Sequence, residues 1–280
     1  MADTALAEIK ESEATGAIAE IYADLRNALG VPMVNLIFRN MATVPGCLEW
    51  VWAHLGPAYV SGSLRAAAEG LVAEVPDIAL NLTPADLGAC GLDAAARAGV
   101  AATCAAYGKA NPANLIALEA LRFVLEETVE ARLRRKPQRG LAARPTPATL
   151  TALPPMVDLA SAPAATREAL RRLARQLHGG DGPVIPSFYR HFGAWPAFLD
   201  LLHARLTPPI ASGQLQDRAQ VLERDAHGPA RMIYFDCPAT RLAPPDTAVV
   251  DTLKELIDRF PANICKMTLV ARGLGRALAA

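Results

Sequence analysis

Shifted by 151 residues, this chain matches itself, and that self-match limits its possible folds more than any other feature. Pro32–Leu64 falls on Pro183–Leu215 without a gap, with ten identities in 33 positions, where composition alone gives roughly two or three. Pro32 meets Pro183, Arg39 meets Arg190, Pro45 meets Pro196, and Ser61, Gly62 and Leu64 meet Ser212, Gly213 and Leu215. A second block agrees at a shift of 149, where Pro112-Ala113-Asn114-Leu115 falls on Pro261-Ala262-Asn263-Ile264. The chain is therefore expected to hold two copies of one unit, residues 1–135 and 156–280. Residues 136–155 contain five prolines and little periodicity, as a proline-rich extended linker does. Two copies of a unit tend to pack about a pseudo-twofold axis, and their junction is a natural ligand site. An asymmetric ligand then needs the two walls of that junction to have diverged.

The unit is helical. Ile18, Ile21, Leu25, Ala28 and Leu29 recur at the spacing of one helix face, as do Leu48, Val51, Trp52, Leu55 and Tyr59. Leu115, Leu118, Leu121, Val124 and Leu125 predict a long helix starting near Pro112 and running to about Arg135. Leu170, Leu173 and Leu177, then Leu199, Leu202 and Leu206, then Val249, Val250, Leu253 and Ile257 give three stripes in the second half. Arg231–Cys237 is the one strand-like run. The expected fold class is all-α.

Lys+Arg and Asp+Glu both number 28, so there is no basic excess to bind the phosphates of a nucleic acid. A local run of Arg132, Arg134, Arg135, Lys136 and Arg139 reads as a solvated helix end. The five cysteines are odd in number, widely spaced and without a C-x-x-C pair, which disfavours a disulfide framework or a zinc site and points to a reducing cytoplasm. The first thirteen residues carry no apolar core of a secretion signal. No apolar run reaches the ~18 residues of a membrane span. The expected partner is a small-molecule substrate or ligand, with a homodimer as the candidate assembly. No metal or cofactor is expected, because metal-ligand spacings, phosphate-binding loops and nucleophile elbows are all missing from the sequence.

Asn111 and Asn114 lie three apart, so both can face one side of a helix. They either grip a water or a carboxylate, or Asn111 caps a helix that begins at Pro112. Arg39 and Arg190 are repeat equivalents, read either as cations for an anionic ligand or as ties between each short helix and a nearby acid. His178, His191 and Asp181 are acid–base candidates near the second-repeat turn. Their bland alternatives are a cation at a helix end for His178 and a turn residue for Asp181. Trp195 is a packing residue near the expected pocket.

Gly16–Gly46, Asn111-Pro112, Leu153–Asp158, Leu177-His178, Gly182-Pro183 and Trp195-Pro196 together resemble the group I 2-haloacid dehalogenases, in consistent order over most of the chain. That resemblance implies an all-helical duplicated fold. It also implies removal of halide from 2-haloalkanoic acids by an aspartate-activated water, with inversion at C2 and no metal or cofactor. Carried over one residue at a time, the family's water-holding asparagine is Asn111, and its pocket tyrosine falls at Asn114. Its aromatic pair falls at Met33 and Leu36, and the serine before its catalytic aspartate matches Ser187. The aspartate itself falls at Phe188. A phenyl ring takes no proton from water, and general-base help is worth about 10²–10⁴ in rate. The resemblance therefore implies a family-type ligand site, also bordered by Arg190 and Trp195, in which hydrolysis depends on a displaced base such as Asp181 or His178.

Overall fold

The computed structural model describes residues 6–128, 150–179, 184–237 and 246–279. Among these residues there are thirteen α-helices and no strand. The first half holds α1 (Gly16–Leu29), α2 (Leu36–Met41), α3 (Cys47–Val60), α4 (Ser63–Ala73), α5 (Pro84–Ala89) and α6 (Ala94–Glu126). The second holds α7 (Ala164–His178), α8 (Ser187–Arg190), α9 (Pro196–Ala211), α10 (Gln214–Asp225), α11 (His227–Asp236), α12 (Thr247–Arg259) and α13 (Pro261–Ala279).

The expected apolar stripes face the core, with Ile18, Trp52, Leu125 and Val250 only partly buried. On α1, Ile21, Tyr22, Leu25, Ala28 and Leu29 face inward, and the helix stops where Gly30 takes φ 63°, a left-handed conformation that costs glycine little. Leu199, Leu202 and Leu206 do the same for α9, and Val249, Leu253, Leu256 and Ile257 for α12. The centre is α6, 33 residues long, against which α13, α11, α4 and α12 all pack. Its N-terminus is capped by the Asp93 carboxylate, which accepts from the Ala96 N–H at 2.8 Å.

The helix bounds run in parallel through the two halves. At the 151 shift α2, α3 and α4 fall on α8, α9 and α10. Gly62 and Gly213, equivalent across the halves, precede α4 and α10 with φ 79° and 78°. The main-chain approach to each short helix is also the same. Ile9 N–H donates to the Arg39 carbonyl at 3.0 Å, and Val157 N–H donates to the Arg190 carbonyl at 3.1 Å. The second approach is tight: a Cβ on Gly193 would sit 2.5 Å from Val157.

Three sequence expectations are corrected. Arg231–Cys237 belongs almost wholly to α11 rather than to a strand; Ala230, Ile233 and Cys237 are buried at helical spacing while Met232 and Phe235 are exposed. The long helix starts at Ala94, not near Pro112, and ends at Glu126. Pro112 lies buried inside α6, whereas its equivalent Pro261 opens α13 after a break at Phe260. The basic run at 132–139 and linker residues 136–149 lie outside the described residues.

Candidate functional site

A recess of about 50 Å³ lies where the starts of α2 and α8 meet α6 and the α12–α13 break. Its first-half wall carries Asn35, Leu36, Ile37, Tyr107, Asn111 and Asn114. Its second-half wall carries Val184, Pro186, Ser187, Arg259, Phe260, Asn263, Ile264 and Met267. The repeat register pairs these walls: Asn35 with Pro186, Leu36 with Ser187, Asn111 with Phe260 and Asn114 with Asn263. One wall is thus rich in amides and the other mostly apolar, with Arg259 where α6 has Ala110.

Position on α6 explains the amide wall. Tyr107, Asn111 and Asn114 are spaced four and three apart and so share one face. All three are at least nine-tenths buried. Asn111 is mid-helix, so the capping alternative is excluded for it. Its Oδ1 accepts from Asn35 Nδ2 at 3.0 Å, and Asn114 Oδ1 accepts from the Tyr59 hydroxyl at 2.9 Å. Burial pushes the Tyr59 phenol well above its ordinary range, so it stays protonated and can donate. Left over, buried and without partners are Asn35 Oδ1, Asn111 Nδ2 and Asn114 Nδ2. Buried polar atoms are rarely left so, and a ligand or water entering the recess would satisfy them.

Ser187 is held from behind. Arg39 Nη2 donates to its hydroxyl at 2.8 Å, while Arg39 Nη1 lies 3.0 Å from the Glu8 carboxylate. Arg190 pairs with the same Glu8 at 3.8 Å, and its Nε donates to the Val157 carbonyl at 3.1 Å. The two repeat-equivalent arginines converge on one acid, which favours the reading of them as ties. Neither lines the recess.

The remaining predicted residues sort as follows. Leu36, Asn111, Asn114 and Ser187 line the recess. Met33 is buried but off its lining, and Trp195 is half-buried where it precedes α9. Phe188 is fully buried, its ring 5.2 Å from Tyr107, 5.0 Å from Tyr189 and 5.0 Å from Phe192. It belongs to an aromatic cluster behind Tyr107. His178 ends α7 as expected, beside Tyr189 and Lys266. Burial lowers its pKa to about 4, so it is neutral near pH 7 and is no cation for the macrodipole. The carbonyl of Leu177 instead receives the Lys266 ammonium at 2.8 Å. His191 donates from Nδ1 to the Pro154 carbonyl at 2.5 Å and is likewise lowered to about 4, chiefly by burial. Asp181 lies outside the described residues.

Sequence reasoning missed Asn35, Tyr59, Tyr107 and Arg259. Tyr107 and Arg259 had a readable signal, each four residues before a flagged position, Asn111 and Asn263. Asn35 and Tyr59 had none, because their partners are distant in sequence.

No protein-family model matches the chain. The configuration-inverting 2-haloacid dehalogenase of Alcaligenes xylosoxydans xylosoxydans is 26% identical over 278 residues, covering 92% of this chain and 89% of the relative. The (R)-2-haloacid dehalogenase of Pseudomonas putida is 33% identical over 70 residues, 23% of each chain. These relatives indicate the configuration-inverting 2-haloacid dehalogenases as the proteins this chain is similar to over most of its length. Two solved structures show the shared fold. A D-2-haloacid dehalogenase mutant aligns with a TM-score of 0.72 at 20% identity, covering 99% of this chain and 98% of the other. A D-2-haloacid dehalogenase mutant in complex with D-2-CPA aligns at 0.66 and 18%, covering 99% and 97%. Phe188, the position to which the sequence resemblance carries the family's aspartate, is fully buried.

Proposed function

We propose that this chain binds a small organic acid in the recess and has lost the hydrolytic dehalogenation of these relatives. One observation carries the reading: the described lining of the recess offers amides, a hydroxyl, a phenol and a guanidinium, but no carboxylate. Asn111, Asn114 and Ser187 contact the ligand, Leu36 and Met267 cover its carbon chain, and Arg259 compensates its charge. A water held only by neutral amides lacks the base that halide displacement needs. Buried thiols do not replace it, since burial pushes Cys47 up to about 12. The proposal includes the two-repeat arrangement, 1–135 and 156–280 about a pseudo-twofold axis, which the parallel helix bounds support. It also includes a cytoplasmic homodimer, supported by the odd number and wide spacing of the cysteines and by Met232 and Phe235 exposed on α11.

The test is incubation with both enantiomers of 2-chloropropionate while chloride and melting temperature are followed. A ligand-dependent rise in melting temperature without chloride release is the expected result. Chloride release at an enzymatic rate overturns the loss of hydrolysis. Its disappearance in Asp181→Asn would then make Asp181 the displaced base.

A further inference from the structure

The unsatisfied atoms of the recess form a set with its own chemistry. Asn111 Nδ2 and Asn114 Nδ2 are two donors, and Asn35 Oδ1 is one acceptor. All three residues are at least nine-tenths buried and line the same recess. The Asn35–Asn111 part of this inventory does not depend on how those two amides are oriented. Turning both over would exchange the roles in their mutual bond and still leave one donor and one acceptor. Tyr59 fixes the third member by donating to Asn114 Oδ1, which turns the amide N–H₂ away from itself.

Resting on the reading of the recess as an acid site, we propose that this chain selects a 2-hydroxy acid over the corresponding 2-halo acid. A hydroxyl has one hydrogen to donate and two lone pairs to accept. It would donate to Asn35 Oδ1 and accept from Asn111 Nδ2 and Asn114 Nδ2, which accounts for every buried orphan on the amide wall. A halogen donates nothing and accepts poorly, so it leaves Asn35 Oδ1 unsatisfied and the two amides weakly paired. A 2-oxo group accepts from both amides but has no hydrogen for Asn35. The acid's carboxylate goes to Arg259, which lines the recess and at present meets the exposed Glu255 at 3.3 Å. Exchanging one carboxylate partner for another there requires no burial of charge. Asn35 and Tyr59 act as positioning residues for the amides, with Asn35 also a contact. The position that the family resemblance assigns to a tyrosine is Asn114 here, so this arrangement belongs to this chain.

The experiment is calorimetric titration of the full chain with 2-hydroxybutyrate, 2-oxobutyrate, 2-chlorobutyrate and butyrate, chiral acids as separate enantiomers. One enantiomer of 2-hydroxybutyrate is expected to bind at least about tenfold tighter than the chloro and unsubstituted acids, with the oxo acid between, because each buried polar group left unpaired costs affinity. Tyr59→Phe is expected to narrow the hydroxy-to-chloro ratio by about threefold. Asn35→Leu, a second variant that does not disturb the α3–α6 contact, is expected to narrow it too. Equal affinities for the four acids overturn the selection and leave the acid-site reading standing, with a fixed water as the occupant of the three atoms. Tighter binding of the chloro or oxo acid overturns it in the same way. No binding by any of the four overturns both.

Discussion

The two short helices α2 and α8 occupy equivalent places and do opposite work. Through Asn35, Leu36 and Ile37, α2 and the residue before it give the recess part of its amide wall. Through Phe188 and Tyr189, α8 gives the core two fully buried rings, and only Ser187 faces the recess. The same contrast runs along the long helices, where α6 places Asn111 and α12–α13 places Phe260. The helix bounds run in parallel through the two halves, and most of the paired side chains at the recess do not match. Arg39 and Arg190 stayed the same and serve architecture, whereas the identical Asn114 and Asn263 both line the recess.

The sharpest way to break this contrast is Phe188→Asp. It would put a carboxylate into a fully buried aromatic cluster, a place where an unpaired charge is very costly. The expected loss is more than about 4 kcal/mol of stability, or failure to fold, measured by chemical denaturation. A stable variant with new chloride release from 2-chloropropionate would instead place Phe188 at the recess and reopen hydrolysis. Arg39→Met comes next. Arg39 is nearly fully buried between Glu8 and Ser187, so its removal leaves a carboxylate with one longer partner and costs about 3–5 kcal/mol. Arg190→Met, with the 3.8 Å contact and more exposure, is expected to cost about 1–2 kcal/mol. Equal losses would show the two ties to be interchangeable.

Acid should expose the second half before the first. His178 and His191, both in that half, have folded-state pKa values lowered to about 4 from 6.5, mainly by burial. Between those values the unfolded chain binds more protons than the folded one. Stability is therefore held above about pH 6.5 and lost as pH falls toward 4. Melting temperature followed across that range should decline, and His191→Asn should reduce the decline. Asparagine preserves a donor near the Pro154 carbonyl while removing the titration. An unchanged slope in the variant would assign the acid sensitivity elsewhere.

The helical architecture was legible because apolar spacing survives in the sequence. Ile21, Leu25 and Leu29, or Leu199, Leu202 and Leu206, need only local periodicity to be read. Local rules failed where packing overrode them. Proline inside a helix costs about 3 kcal/mol, so Pro112 reads as a start, yet burial against the rest of the core keeps α6 continuous through it. The same rule holds at Pro261, where the helix does begin. Arg231–Cys237 read as a strand because a short apolar run has no clear period; the buried 230, 233 and 237 set was the helical signal. The site was half legible. Asn111, Asn114 and Ser187 carried a resemblance, but Asn35 meets Asn111 across 76 residues and Tyr59 meets Asn114 across 55. Pairs that distant leave no mark on a single sequence.

Asn114 and Asn263 give the smallest and most discriminating test, since they are the one identical pair that faces the recess from both walls. Asn114 is 1% exposed and satisfies the buried Tyr59 hydroxyl. Asn263 is half-buried, its amide meets the Arg259 carbonyl at 3.5 Å, and its side chain also lies beside His178. Truncating Asn114 to alanine orphans a phenol and opens space in the core, so about 1–3 kcal/mol of stability should be lost. The same truncation at Asn263 should fall within about 0.5 kcal/mol, as solvent replaces a weak bond. Acid binding should follow the same order, with Asn114→Ala losing the preference for the hydroxy acid and Asn263→Ala keeping it. If Asn263→Ala proves the more damaging of the two, the amide wall has been assigned to the wrong half. The ligand would then sit against α13, with Arg259 beside its reacting end rather than its carboxylate.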